Sequence, residues 1–227
     1  MTEINVNENK ERNPFVDHFK KRSDVHLARK VWHVTTVFLM FVAWNVLPFW
    51  ICMSLLILGW IAFVPADFVR LNNPDLNSKL SKMFKLIMRQ NELDRLAGTT
   101  YLITGTILIA SVFPKSVVSL SLLFLAFADP IASYVGIRYG KDKIFGHKSV
   151  QGFIAAYVVC TVLTGIFLYF NNIVDYILII SLLAGLVGAL AELIPIAKID
   201  DNFTMPLLSS IGIYIILYLF NVSQLLI

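Results

Sequence analysis

Residues 116–137 read SVVSLSLLFLAFADPIASYVGI, an apolar run interrupted by one carboxylate, Asp129, with Pro130 directly behind it. A helix needs about 20 apolar residues to cross a bilayer, and this run is that long. A carboxylate inside such a segment is costly unless it faces a polar cavity or a partner. The stretch therefore predicts a membrane-spanning helix and a polar site that the helix helps to line. The whole chain agrees with the first point. It is 57% hydrophobic and 15% charged, whereas soluble domains are roughly 45–50% apolar and about 25% charged.

Further apolar runs lie on both sides. Before it come 31–48, closed by Pro48, then 49–69, then 98–113, closed by Pro114. After it come 152–170, 173–195 and 206–226. The expected fold is an all-α polytopic transmembrane bundle of about seven spans. Polar loops fall at 138–151 and 196–205. Residues 70–97 are also polar, but Leu76, Leu80, Met83, Phe84, Ile87 and Met88 recur there at helical spacing. Lys79, Lys82, Lys85 and Arg89 stand between them. This pattern predicts a basic amphipathic helix at the membrane surface.

Lysine and arginine set the orientation. With the N-terminus in the cytoplasm, Lys115 is the only one of the 19 lysines and arginines on the far side. The net charge of +4 then reflects topology and contact with anionic lipid or nucleotide, and no nucleic-acid partner is expected. Residues 1–28 form a polar, partly disordered cytoplasmic N-terminus. No short apolar segment there leads to a cleavage site, so no cleaved signal peptide is expected. Cys52 and Cys160 sit inside apolar runs and read as buried small residues.

The chemistry is expected where polar groups meet the bundle. Asp129, Ala132, Ser133, Gly136 and Gly140 share one face of the fourth run and its extension. Ala184, Gly185, Gly188 and Glu192 share one face of the sixth. Small faces let membrane helices approach closely. The two helices are therefore expected to pack on each other, with Asp129 and Glu192 in one cytoplasmic cavity. In 136–152, Gly136, Arg138, Gly140, Lys141, Gly146, Lys148, Ser149 and Gly152 combine glycines with cations, as phosphate-binding backbone requires. The Walker A spacing is absent. Lys148 and Ser149 lead into a helix N-terminus, which favours anions. Asp200, Asp201 and Asn202 offer the oxygen ligands that magnesium prefers.

Two more groups fall on the same side. Arg29, Lys30 and His33 enter the first span. Glu92, Arg95, Gly98, Tyr101 and Gly105 form one helical stripe into the third. Plainer readings exist for each piece: anchors at a membrane face, an intrahelical ion pair worth a few tenths of a kcal/mol, a capping loop. Taken together, acids for a metal, bases for phosphate and a membrane cavity fit a nucleotide meeting a lipid head group.

These motifs resemble a known family. Arg29-Lys30-x-x-His33, Glu92-x-x-Arg95-x-x-Gly98-x-x-Tyr101-x-x-x-Gly105 and Asp129-Pro130-x-Ala132-x-x-x-Gly136-x-x-x-Gly140 look like those of the dolichol kinase, CTP-dependent diacylglycerol kinase and phytol kinase family. So do Lys148-Ser149-x-x-Gly152 and Glu192 followed by Asp200-Asp201-Asn202-x-Thr204-x-Pro206. The likeness runs from residue 29 to the C-terminus, and the chain's shortness points to the compact diacylglycerol or polyprenol type.

The resemblance implies a membrane lipid-kinase domain over 29–227 that moves the γ-phosphate of a nucleoside triphosphate, CTP, to a lipid hydroxyl. Asp129 is the expected base or else a metal ligand, with Glu92 or His33 as replacements in the base role. Arg29, Lys30, Arg95, Gly136, Arg138, Gly140, Lys141, Gly146, Lys148, Ser149 and Gly152 would bind nucleotide phosphates. Glu192, Asp200, Asp201 and Asn202 would hold Mg2+ or another divalent cation. The protein would be integral to the inner membrane of a bacterium or the endoplasmic reticulum of a eukaryote, its active site facing the cytoplasm. A CDP-lipid-forming phosphatidate cytidylyltransferase and a transporter are the alternatives. The former is disfavoured because Asp200-Asp201-Asn202 stands where that family has an Arg-x-Asp ending, the latter because no internal repeat is visible.

Overall fold

The computed structural model of the protein describes residues 27–146, 148–196 and 199–226. The polar segment before residue 27 and Lys198, both assigned above to the cytoplasm, lie outside the described residues. The described chain is helical apart from one small hairpin. Its α-helices are α1 (Leu27–Val46), α2 (Phe49–Asn72), α3 (Pro74–Met83), α4 (Gly98–Val112), α5 (Lys115–Leu123), α6 (Asp129–Arg138), α7 (Val150–Phe170), α8 (Ile177–Leu193) and α9 (Asp201–Leu219). Strands β1 (Lys143–Phe145) and β2 (Lys148–Ser149) pair antiparallel just before α7.

Local chemistry sets the joints. Pro48 and Pro114 precede α2 and α5 in extended conformation, which suits a residue with fixed φ and no N–H to give. Asn73 caps α3 by accepting from the Leu76 N–H at 3.1 Å, with Pro74 in the first turn. Ser149 caps α7 through the Gly152 N–H at 3.2 Å. Asp200 caps α9 through the Asn202 N–H at 3.1 Å. Both are the residue types that serve this position best.

Helices α5 and α6 form one rod, Lys115–Arg138, joined by a single wide π turn at Phe124–Ala128. Pro130 follows the widened turn; its ring would crowd the Ala126 carbonyl of a regular α-helix, and it has no N–H to give the Leu125 carbonyl five residues earlier. His33 Nε2 lies 3.0 Å from that carbonyl instead. A carbonyl only accepts, so Nε2 carries the proton.

The α5–α6 rod is the centre of the bundle. In its most apolar stretch 61% of residues are buried, against 11% in α2 at the periphery. Its own Phe124 and Leu125 and, around it, Val37, Ile109 and Met205 are all fully buried. Among the described residues, four helices are long and apolar enough to cross a bilayer: α2, the α5–α6 rod, α7 and α9. Helices α4 and α8 are apolar but have 15 and 17 residues. Both cysteines are buried free thiols.

Several expectations need correcting. The fourth and sixth runs meet where Phe124 packs on Gly188, but along most of their small faces α7 stands between them. Gly152 of α7 lies against α6, where a Cβ would be 2.9 Å from the Ala132 carbonyl. Gly185 and Gly188 of α8 receive Thr161 and Cys160 of α7. The stripe from Glu92 to Gly105 is not one helix, since α4 begins at Gly98 and Glu92 sits in a separate 3-10 turn, Gln90–Glu92. The amphipathic helix covers only Pro74–Met83, after which the chain turns back and buries Met88. The first and last helices begin earlier than their apolar runs, at Leu27 and Asp201, and so carry Arg29, Lys30 and Asp201 themselves.

Candidate active site

One end of the bundle gathers the polar groups. They come from the N-terminal ends of α1, α4, α7 and α9 and from the C-terminal ends of α2, α6 and α8. Lys115, at the start of α5, lies at the other end, where Trp44 Nε1 donates to its carbonyl at 3.1 Å. Two adjoining clefts open at the polar end. Arg89, Asp129, Ser133, Ile137 and Asp201 line both. The first adds Arg29, Lys30, His33, Asp200 and Asn202. The second adds Gly136, Lys148, Ser149, Gly152 and Glu192.

Arg29 and Glu92 form a two-pronged ion pair, Nη2 to Oε1 at 2.6 Å and Nη1 to Oε2 at 2.9 Å. Arg29 also donates to the Ile87 carbonyl at 2.7 Å. Burial disfavours the Glu92 carboxylate, but Arg29 and the Arg89 N–H outweigh it and hold the carboxyl below its ordinary range. Gly98 makes this junction possible. A Cβ there would lie 2.7 Å from Asn202 Nδ2 and 3.1 Å from Arg29 Nη2. Asn202 uses its amide to donate to the Gly98 carbonyl at 3.2 Å.

Asp129 stands differently. Its carboxylate makes no hydrogen bond to a described residue; His33 Nε2 is 3.8 Å away. Its side chain is 19% exposed, and both clefts reach it. Lys30 leaves it unpaired as well, donating to the Pro130 carbonyl at 3.1 Å and to Ser133 Oγ at 2.9 Å. A carboxylate with open lone pairs inside a cation-lined cleft can accept a proton or bind a cation.

Lys148 bridges two acids, Glu192 at 2.5 Å and Asp201 at 3.1 Å. Burial works against its charge, but Asp201, Glu192 and Asp129 more than offset this, and the ammonium is held above the ordinary lysine range. The Asp200 carboxyl is pushed up by burial and by its neighbour Asp201.

Some candidates lie elsewhere. Arg95 is exposed and lines neither cleft, although its carbonyl is held by Arg70. Arg138 is exposed against Tyr134 and Tyr139. Lys141 is exposed, its N–H donating to Gln151. Gly140 packs on Gly136 and Ser149, and Gly146 is the left-handed turn residue of the hairpin at φ +54. Sequence reasoning passed over Arg89, which lines both clefts, and the Asp67–Arg70 pair behind them. Arg89 read as one basic residue of an amphipathic helix. Asp67 had a signal, being an acid three residues from an arginine at the end of an apolar run.

Three curated proteins named CTP-dependent diacylglycerol kinase 1 are similar to this chain. The one from Eremothecium gossypii is 33% identical over 182 residues, 71% of this chain and 57% of the relative. The one from Saccharomyces cerevisiae is 32% identical over 176 residues, 69% of this chain and 61% of the relative. The one from Schizosaccharomyces pombe is 30% identical over 172 residues, 69% of this chain and 78% of the relative. The chain thus spans less than two thirds of the first two relatives. No protein-family model and no solved structure matches it. The similarity reaches most of the chain and agrees with the motifs that line the clefts: this protein belongs to the CTP-dependent diacylglycerol kinase family.

Proposed function

We propose that this protein is a CTP-dependent lipid kinase that transfers the γ-phosphate of CTP to the hydroxyl of diacylglycerol or a related lipid alcohol. The observation that carries this is the placing of Asp129. It is an open carboxylate shared by two clefts, among cations from three segments. Phosphoryl transfer depends mainly on positioning and on neutralising charge. Arg29, held by Glu92, and Lys30, Arg89 and Lys148 supply positive charge for the triphosphate. Gly136, Ser149 and Gly152 lie on the wall beside Lys148. Asp129 accepts the proton of the lipid hydroxyl as its oxygen bonds to the γ-phosphorus and the bond to the β-phosphate oxygen breaks, leaving CDP. Glu92 and His33 serve this base role less well, because Arg29 occupies the first and Nε2 of the second faces the Leu125 carbonyl.

Asp200, Asp201, Asn202 and Glu192 are the residues proposed for a divalent cation. Among the described residues, no three His, Cys, Asp or Glu side chains already form a metal cage. Magnesium is usually held by one or two carboxylates together with substrate phosphates; Asp200, Asp201 and Asn202 line the first cleft, and Asp201 and Glu192 line the second. When bound, the cation would offset charge on the triphosphate.

The proposed topology has seven crossings, with α1, α4 and α8 joining the four longer apolar elements, and the clefts face the cytoplasm. The one-sided lysines and arginines support this. Purified protein with γ-labelled CTP or ATP and a panel of lipid alcohols tests the function. Label in diacylglycerol from CTP alone is the expected result. No labelled lipid from any pair would overturn it.

A further inference from the structure

Behind the clefts lies a second set of buried polar groups. Asp67 and Arg70, on the last turns of α2, are only 7% and 4% exposed. Arg70 Nε and Nη2 donate to Asp67 Oδ1 at 2.9 and 2.7 Å. Arg70 Nη1 donates to Asn77 Oδ1 at 2.8 Å and to the Glu92 carbonyl at 2.9 Å, and Nη2 to the Arg95 carbonyl at 2.8 Å. The other carboxylate oxygen, Asp67 Oδ2, accepts from the Ala97 N–H at 2.7 Å and from Thr100 Oγ1 at 2.8 Å. Two side chains thus reach the backbone of residues 92, 95 and 97 and the first turn of α4. Between these points the Glu92 side chain turns to Arg29.

A buried ion pair is weak evidence for stability, since apolar residues of similar size often stabilise as well or better. This pair acts on a stretch with little regular structure, 84–97, where fixing each residue costs about 1–2 kcal/mol of conformational entropy. Each of its bonds to the main chain falls between Glu92 and Ala97. Fork geometry suits Arg70 to hold two carbonyls at once, which an ammonium cannot do with the same direction.

We propose that Asp67 and Arg70 are positioning residues for the reaction. They hold residues 88–98 so that Glu92 aims Arg29 into the first cleft and Arg89 reaches the junction of both. This rests on reading the clefts as a phosphoryl-transfer site. Neither residue touches a cleft; they act through the segment they hold.

The test is the full-length Asp67→Leu/Arg70→Met protein in lipid nanodiscs, followed by amide exchange, thermal unfolding and steady-state kinetics. The expected result is a folded protein whose amides at 88–98 exchange at least roughly tenfold faster. Its kcat is about 10²-fold lower, as a displacement of about 1 Å can cause, and it falls more than KM rises. Unchanged kcat with unchanged exchange would overturn the proposal. If the double variant does not fold, Arg70→Lys retains the charge but loses the fork, and the same two readouts decide. If the wild-type protein phosphorylates no lipid, the kinase reading fails. Exchange at 88–98 then still tests the clamp, and equal exchange in variant and wild type sinks it.

Discussion

Asp67 and Asp129 are both carboxylates at the polar end of one helical bundle, yet their surroundings are opposite. The two oxygens of Asp67 receive four donors: Arg70 twice, the Ala97 N–H and Thr100 Oγ1. The carboxylate of Asp129 has no hydrogen bond to a described residue, and His33 Nε2 lies 3.8 Å from it. Burial alone does not separate them, since both are largely enclosed. Satisfaction does. A fully bonded carboxylate maintains a shape, and removing its partner leaves a desolvated charge behind. An open one in a cation-lined cleft is free to take a proton or a ligand, and its removal costs the fold little.

The sharpest way to break this contrast is Asp129→Asn. The expected loss of phosphoryl transfer is about 10²–10⁴-fold, the range general-base catalysis contributes, with thermal unfolding essentially unchanged. A variant that keeps full activity would remove Asp129 from the chemistry. One that unfolds would place it with Asp67. The converse change is Arg70→Ala, expected to lose about 3–5 kcal/mol of stability as a broken buried pair does, read as a lowered unfolding midpoint. A near-neutral effect would show that the clamp is not held as tightly as its bonds suggest.

Acid sharpens the comparison further. The carboxyl of Glu92 is held below its ordinary range by Arg29, so its contribution is present above the unfolded glutamate value of about 4.3 and is lost as pH falls through the lowered folded value. The stability gap between wild type and Glu92→Gln, about 1.5–3 kcal/mol for hydrogen bonds to a charged group, should stay constant above that value and shrink below it. A gap that does not change on acidification would contradict the pairing. The smallest effect belongs to Gly98→Ala. Overpacking there should cost about 1–3 kcal/mol, but because the new methyl meets Asn202 and Arg29, activity should fall more than stability does. Equal activity would mean that Arg29 tolerates displacement.

Much of this end was legible as residues. Arg29, Lys30, His33, Asp129, Lys148 and Asp200 to Asn202 stood out because charge beside apolar runs is expensive and therefore sparse. The structure gathers them around two joined clefts. Arg95, Arg138, Lys141 and Gly146 had the same composition signal but lie outside. A loop's residue types do not say which way its backbone turns. The direct contact expected between the fourth and sixth runs is partial, Phe124 on Gly188, for a related reason. Small faces at Gly136 and Gly188 mark close approach without naming the neighbour, and α7 supplies Gly152 and Cys160 to both.

By itself the sequence determined the membrane class and the residue types available for chemistry. These depend on transfer energies between water and hydrocarbon, which each short stretch carries with it. Only the tertiary structure decided that Asp67 is satisfied and Asp129 open, and that Arg89 stands where two clefts meet. Hydrogen bonds between residues as far apart as Arg29 and Glu92 exist only once helix faces have docked, and docking is a property of the whole bundle.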